Sequence, residues 1–179
     1  MRLKLEGWRG IPHSYALVNQ HQMLELSMRR GITLFHRDRP FADPRWSGLR
    51  GTGGFHPDAA ARLAHIPRPD GPTDVTFRIL YPHDAGPDGG ARVFAFATCE
   101  FDRLLPGAIG AVDPDCAFVT PSLWSKQGLA ASGLNPDRIH VVPHGIDPAI
   151  FHPPSPGSRA AMRRWLGLDP HQFLFLNVG

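Results

Sequence analysis

The chain has 179 residues, enough for one domain with a sizeable core and too few for two full α/β domains. Its composition, 42% hydrophobic and 20% charged, is that of a globular protein, and its net charge of +3 is spread without basic runs, so we expect no nucleic-acid partner. No apolar run approaches the ~20 residues of a membrane span, and the first residues lack a signal-peptide core, so we expect a cytoplasmic protein.

Apolar runs alternate with helical patterns along the whole chain. Ser14 is a candidate N-cap for the first helix, and Gly31 is placed to end it. The predicted elements in chain order are strand 2–8, helix 14–30, strand 32–36, helix 58–66, strand and loop 74–84, strand 91–100, strand 116–122, helix 123–132, strand and turn 138–147, helix 159–168 and strand 172–179.

This alternation predicts an α/β fold with a Rossmann-like, doubly wound, mostly parallel sheet. Ligands of such sheets bind outside the carboxyl ends of the strands, so functional residues are expected in the loops that follow the strands. Those loops are polar or glycine-rich in this chain. They are residues 7–10, 36–38, 82–84, 99–103, 120–122 and 143–145.

Five segments resemble a known family. Two of them are SYALVNQHQMLELSMRRGI, at 14–32, which occupies the place of the family's first helix, and RAAMRRWLGL with FLFLNVG, at 159–179, which is similar to the family's bridge into the second domain and its first strand. RIHVVPHGIDPAIFHP, at 138–153, resembles the segment that closes the first domain of GT-B glycosyltransferases of family 4. CAFVTPSLWSKQGLAASGLNPDRI, at 116–139, is similar to the strand–Ser–helix–Gly segment of that family. FATCEFDRLLP, at 96–106, is similar to the Thr-x-Glu-x-Asp-Arg stretch of a bacterial branch. The resemblance covers nearly the whole chain and is loosest over 41–71.

The resemblance implies a two-domain, metal-independent, retaining enzyme. In that family the first domain mainly binds the acceptor, and the second holds a nucleotide-sugar, here expected to be a UDP- or GDP-sugar. We therefore assign residues 1–150 to an acceptor-side domain, 151–158 to an interdomain linker and 159–179 to the start of a donor-binding domain.

The same resemblance sets the expected partners. Because the chain stops at Gly179, the C-terminal donor domain is expected as a missing partner, and the chain alone is expected to be inactive. The other expected partner is a sugar or glycolipid acceptor, with peripheral membrane association. The alternative function is a catalytically inactive, stand-alone ligand-binding module of the same fold.

Glu100, Asp102 and Arg103 follow the apolar strand that begins at residue 91. A carboxylate in this crevice position can accept a hydrogen bond from an acceptor hydroxyl, so Glu100 is the catalytic candidate. Arg103 can pair with a phosphate, and we keep it with Asp102 as a cleft-binding candidate. The alternative is a solvated loop cluster or a local ion pair that contributes little.

The first β–α loop contributes Arg9, Gly10 and His13 as candidates for binding at the cleft. Backbone amides and a helix N-terminus suit an anion, and the family's loop approaches the donor phosphates, but an ordinary tight turn is an equal alternative. His144 and Gly145 are candidates at the interdomain turn. There, a histidine bonded to backbone and a glycine needed for its conformation are the alternatives.

His83 is the last binding candidate, again with a structural alternative. Ten histidines occur, yet no HExxH or compact His/Cys spacing does, so no metal site is expected. Ser122 is interpreted as a helix cap, Cys99 as a small buried hydrophobe, and 51–55 as a flexible surface loop.

Overall fold

The computed structural model describes residues 1–177. The chain divides into two compact units, Met1–Pro143 and a second unit that begins at His144. The sequence-based domain boundary after residue 150 stays a prediction.

The first unit is built on parallel β-sheet. In chain order its strands are β1 (Arg2–Gly7), β2 (Thr33–Asp38), β3 (Val75–Ile79), β4 (His83–Ala85), β5 (Arg92–Phe96), β6 (Ile109–Val112), β7 (Ala117–Thr120) and β8 (Ile139–Val141). Within residues 1–177 the central sheet has six strands in the order β2-β1-β3-β5-β7-β8, and every neighbouring pair is parallel. The predicted α/β fold with a Rossmann-like parallel sheet is confirmed.

Two strands were not predicted. β4 and β6 pair in parallel as a separate two-stranded sheet. His83 and Asp84 therefore lie in a short strand, and the prediction that they belong to a loop is wrong. Conversely, of the predicted strand 172–179, residues 172–177 form no strand, with Phe173 and Phe175 81% and 90% exposed, and residues 178–179 lie outside the described part of the chain. A strand requires a neighbour to accept and donate its backbone hydrogen bonds, and the structure gives that segment none.

The helices are α1 (Ser14–Ser27), α2 (Pro57–Ala64), α3 (Leu123–Ala131) and α4 (Ser158–Trp165), with 3-10 turns at Pro44–Leu49 and Pro136–Arg138. All four helices were predicted, although α1 differs in detail. Its N-cap is His13, not Ser14, and the helix ends before the basic residues expected in its last turn. The chain leaves α1 through tighter bonds, such as that from the Met28 N–H to the Glu25 carbonyl.

Helices pack on both faces of the central sheet. On one face, Leu3 and Leu5 of β1 contact Met23 of α1 and Leu63 of α2 in a single apolar cluster. On the other face, Leu129 of α3 joins a cluster with strands β5, β7 and β8. This arrangement agrees with the doubly wound prediction.

On this second face of the sheet, β1 and β3 carry charged side chains. Glu6 is fully buried, and its carboxylate lies 3.0 Å from Lys4 Nζ and 3.0 Å from Arg78 Nε. Arg39 and Arg37 approach the same carboxylate at 3.2 Å and 3.5 Å. Because an unpaired buried charge is costly, these cations are what allow Glu6 to be buried.

None of the helices within residues 1–177 is both long enough and apolar enough to cross a bilayer.

Candidate functional site

A cavity of about 260 Å³ lies in the first unit, at the point where the strand order reverses. The chain passes from β1 to β2 on one side and then to β3 on the other, so the crevice between β1 and β3 is the topological switch point. The lining comes from the loops after β1, β3 and β5, and Trp46 adds to it from the connection that follows β2. It comprises residues of 8–15, Tyr81, residues of 98–105, Ala108 and Trp46. Of the six loops that were expected to carry function, two, 7–10 and 99–103, contribute residues to this cavity.

Trp8, the first residue after β1, lines this cavity. It is buried, and its indole Nε1 donates to the Pro40 carbonyl at 2.8 Å. Its ring makes edge contacts with His13 and Trp46, with centroids 5.0 Å and 5.3 Å apart. These contacts hold the residues at the start of α1 in place.

His13 lines the cavity as the cap of α1. Its Nδ1 accepts a hydrogen bond from the Tyr15 backbone N–H at 3.2 Å, which requires a ring that carries no proton on Nδ1. Burial lowers the pKa of His13, so the neutral ring prevails at pH 7. His13 thus lies at the predicted cleft, where its role in ligand binding stays a prediction.

Tyr15 and Thr98 present a pair of hydroxyl groups to the cavity. The Tyr15 hydroxyl and Thr98 Oγ1 are 2.7 Å apart, which joins the first turn of α1 to the loop after β5. Burial raises the pKa of Tyr15, so its hydroxyl keeps its proton at neutral pH.

Glu100 and Arg103 both line the cavity, whereas Asp102 does not. Glu100 is exposed, and no hydrogen bond or ion pair reaches its carboxylate from the described residues. Arg103 Nε lies 4.0 Å from Asp102 Oδ2, with both side chains largely exposed. An exposed pair at that distance contributes little, so Glu100 and Arg103 stay available to a ligand.

His83 is not among the residues that line the cavity. It is buried, with Nδ1 3.2 Å from the Leu80 carbonyl and Nε2 3.3 Å from the Thr98 carbonyl. Burial lowers the pKa of His83, so near pH 7 the ring is neutral and one nitrogen at a time donates. The contacts show a histidine that joins the ends of β3 and β5, and its predicted ligand role stays a prediction.

Arg9 and Gly10 are engaged within the protein. The Arg9 guanidinium bonds both oxygens of Asp38, at 3.0 Å and 3.1 Å, and also the Leu63 carbonyl at 2.6 Å. Gly10 has a φ of +74°, and its N–H donates to Gln20 Oε1 at 2.9 Å. These contacts favour the tight-turn interpretation of the loop, and the anion-binding role stays a prediction.

His144 and Gly145 lie in the second unit, and both are exposed. Gly145 is not among the glycines with positive φ, and a Cβ at this position would meet open space. The interpretation that its backbone requires glycine is therefore wrong. Ligand binding by either residue stays a prediction.

The secondary assignments had mixed outcomes. Ser122 caps α3 by accepting from the Ser125 N–H at 3.1 Å, and Cys99 is buried in the core, as predicted. The surface-loop prediction for 51–55 is wrong at Gly53, which is buried, and the flexibility of the loop stays a prediction. No group of three potential metal ligands occurs among residues 1–177, and a metal-free protein stays a prediction.

Trp46 was the residue of the cavity that sequence reasoning missed most completely. It lies on the turn Pro44–Leu49, where Asp43 caps the first residues through the Arg45 N–H at 2.9 Å. Asp followed by Pro is a helix-start signal that the sequence did carry. The contact of Trp46 with His13, at a centroid distance of 4.6 Å, joins residues 33 positions apart and has no local signal.

The chain is similar to proteins described as D-inositol 3-phosphate glycosyltransferases. It is 38% identical over 95 residues to that of Acidothermus cellulolyticus (strain ATCC 43068 / DSM 8971 / 11B), covering 50% of this chain and 20% of the relative. It is 37% identical over 67 residues to those of Mycobacterium sp. strains KMS and MCS, covering 37% of this chain and 15% of each relative.

The chain thus spans a fifth or less of the length of these curated relatives. No family model matches it, and no solved structure does. The partial matches support a glycosyltransferase relationship at this coarse level.

Proposed function

We propose that this chain is the acceptor-side part of a retaining GT-B glycosyltransferase of family 4, which moves a sugar from a nucleotide-sugar to an acceptor hydroxyl. The observation that carries the proposal is the unpaired Glu100 carboxylate on the wall of the switch-point cavity. The names of the similar proteins support sugar transfer.

In this proposal Glu100 acts on the acceptor. During transfer the bond from the sugar C1 to the nucleotide breaks and the nucleotide leaves with the bonding electrons, a bond from C1 to the acceptor oxygen forms, and the proton of that oxygen passes to the Glu100 carboxylate. A carboxylate that accepts a hydrogen bond from the acceptor hydroxyl orients the oxygen and stabilises the positive charge that develops on it. Contributions of this kind are typically about 10²–10⁴-fold in rate.

The donor is assigned to the partner domain that the resemblance implies. A UDP- or GDP-sugar would be bound there without a metal, while the switch-point cavity would hold the acceptor. The similar proteins are named for a cyclitol phosphate, so a hydroxyl-bearing ring, free or as a glycolipid headgroup, is the acceptor class that we propose.

The test is to express the complete reading frame that contains this chain and to measure sugar transfer. The product is incubated with UDP-glucose, UDP-N-acetylglucosamine or GDP-mannose and a panel of cyclitol and sugar acceptors, and nucleotide release is followed. We expect one of the donors to release its nucleotide only when an acceptor is present. NMR of the product should show that the sugar keeps its anomeric configuration. Ligand binding without release from any donor would contradict the proposal and favour the binding-module alternative.

A further inference from the structure

The size of the cavity limits what can enter it. Its volume of about 260 Å³ lies just below the ~300–1,000 Å³ of typical small-molecule sites. A space of this size suits a single ring better than a nucleotide. The rings of Tyr15, Trp46 and Tyr81 lie along its wall and offer flat apolar surfaces to such a ring.

The charges on the wall do not suit a phosphate. Among the lining residues in the described part of the chain, the two that carry a charge near pH 7 are Glu100 and Arg103. The Arg103 side chain is 69% exposed. His13 is neutral near pH 7 because burial lowers its pKa. A phosphate would thus meet a like charge at Glu100 and find no buried cation to compensate it.

Free backbone N–H groups at a helix N-terminus attract anions. In the first turn of α1 the Tyr15 N–H is already bonded to His13 Nδ1, which removes one of these donors. The hydroxyl groups of Tyr15 and Thr98 are instead suited to an uncharged polar group. They share one hydrogen bond at 2.7 Å, which leaves one hydroxyl proton and several lone pairs for a ligand hydroxyl.

We propose that the switch-point cavity binds an uncharged, hydroxyl-rich ring, a sugar or cyclitol without phosphate, and that Trp46 and Tyr15 select it. This inference rests on the proposed function and narrows its acceptor. Trp46 lies in the stretch 41–71, where the family resemblance is loosest. The selected ring therefore differs from the phosphorylated cyclitol for which the similar proteins are named.

Ligand-observed NMR on this chain at pH 7.5 tests the inference with two matched pairs of probes. The pairs are myo-inositol with inositol 3-phosphate, and methyl glucoside with its 6-phosphate. We expect at least one neutral ring to bind about 10-fold or more tightly than its phosphate, which corresponds to one unfavourable charge contact. Tighter binding of the phosphates, or no binding of any probe, would overturn the inference.

Three substitutions locate the binding. Trp46→Ala is expected to weaken binding of the neutral ring about 10-fold or more, because a buried aromatic contact is lost. Tyr15→Phe keeps the ring and removes the hydroxyl, so it gives a second result if the first variant folds poorly. Trp124→Ala, on the exposed surface of α3, is the control and should bind as the parent does. Unchanged binding in both cavity variants would contradict the assignment.

A fourth substitution tests the electrostatic reason. Glu100→Gln removes the like charge and is expected to narrow the preference for the neutral ring, mainly by strengthening phosphate binding. The binding measurement requires no sugar transfer, so the two proposals fail separately. Transfer to phosphorylated rings by the complete protein would overturn this inference alone, whereas binding of neutral rings without any transfer would overturn the proposed function.

Discussion

Glu6 and Glu100 are two carboxylates of the first unit with opposite surroundings. Glu6 is fully buried, and four cations lie within 3.5 Å of its oxygens. Glu100 is exposed at the cavity, and no hydrogen bond or ion pair reaches it from residues 1–177. The two carboxylates therefore show two roles for a charged side chain, one in the interior and one at the cavity. The interior accepts a carboxylate only with its partners, while the cavity leaves one unpaired for a ligand.

The largest expected effect is at the buried carboxylate. Glu6→Gln leaves buried cations without their shared partner, and we expect it to lower the free energy of unfolding by about 3–5 kcal/mol. Urea denaturation measures this loss. Glu25→Gln, which removes an exposed pair with Arg29 at 4.0 Å, is the matched control and should cost less than about 1 kcal/mol. If the two variants lost equal free energy of unfolding, the buried carboxylate would contribute no more to stability than the exposed one, which would contradict the comparison.

His36 extends the comparison to a group that the interior keeps uncharged. Burial, and secondarily Arg9, lowers the pKa of His36 from 6.5 to about 4. Between these values the unfolded chain binds the extra proton, so this group lowers stability as the pH falls from 6.5 to 4, by up to about 1.4 kcal/mol per pH unit. Above pH 6.5 it adds no pH dependence. Urea denaturation across this range should give a shallower slope in His36→Gln, and an unchanged slope would contradict the assignment.

Gly53 tests the loop that supports the first β–α turn. Its φ is +64°, and an added Cβ would lie 2.8 Å from Oε1 of the buried Gln20. Gly54→Ala is the matched control, since Gly54 also has a positive φ, of +87°, but its nearest contact is at 3.9 Å. We expect backbone strain of about 1–2 kcal/mol in both variants, with a further loss in Gly53→Ala alone. Thermal denaturation that ranks them equally would show that Gln20 yields at no cost.

The smallest expected effect is at the hydroxyl pair of the cavity. Tyr15→Phe and Thr98→Val each remove one side of the hydrogen bond, and each should lower the free energy of unfolding by about 1 kcal/mol. In a double-mutant cycle the second substitution should cost less once the first is present. Additive losses would show that the hydroxyls do not interact in solution.

Much of the fold could be predicted because the main strands and helices carry local signals. The central strands are apolar runs, and α3 has both a cap at Ser122 and a glycine after its end. β4 and β6 lack such signals: β4 is three residues long and mostly polar, and β6 is four residues long and includes a glycine. Each of these two strands forms because it pairs with the other, and that pairing arises only in the folded chain, so local sequence does not predict it.

The candidate site was predictable in position and less so in composition. The rule that ligands bind beyond the carboxyl ends of parallel strands located Glu100, Arg103 and His13 at one cavity. The same rule included Arg9, which bonds Asp38 instead. Trp46 lines the cavity because it contacts residues that are distant in sequence, such as His13. No local sequence pattern predicts contacts of this kind.

The most direct test of the account compares Glu100→Gln with Asp102→Asn in the product of the complete reading frame. Both residues are exposed on one loop, but only Glu100 lines the cavity. Glu100→Gln is expected to lower kcat for sugar transfer by about 10²-fold or more, while its unfolding midpoint and the activity of Asp102→Asn stay close to the parent values. Transfer at the parent rate by Glu100→Gln, or an equal loss in Asp102→Asn, would contradict the role of Glu100.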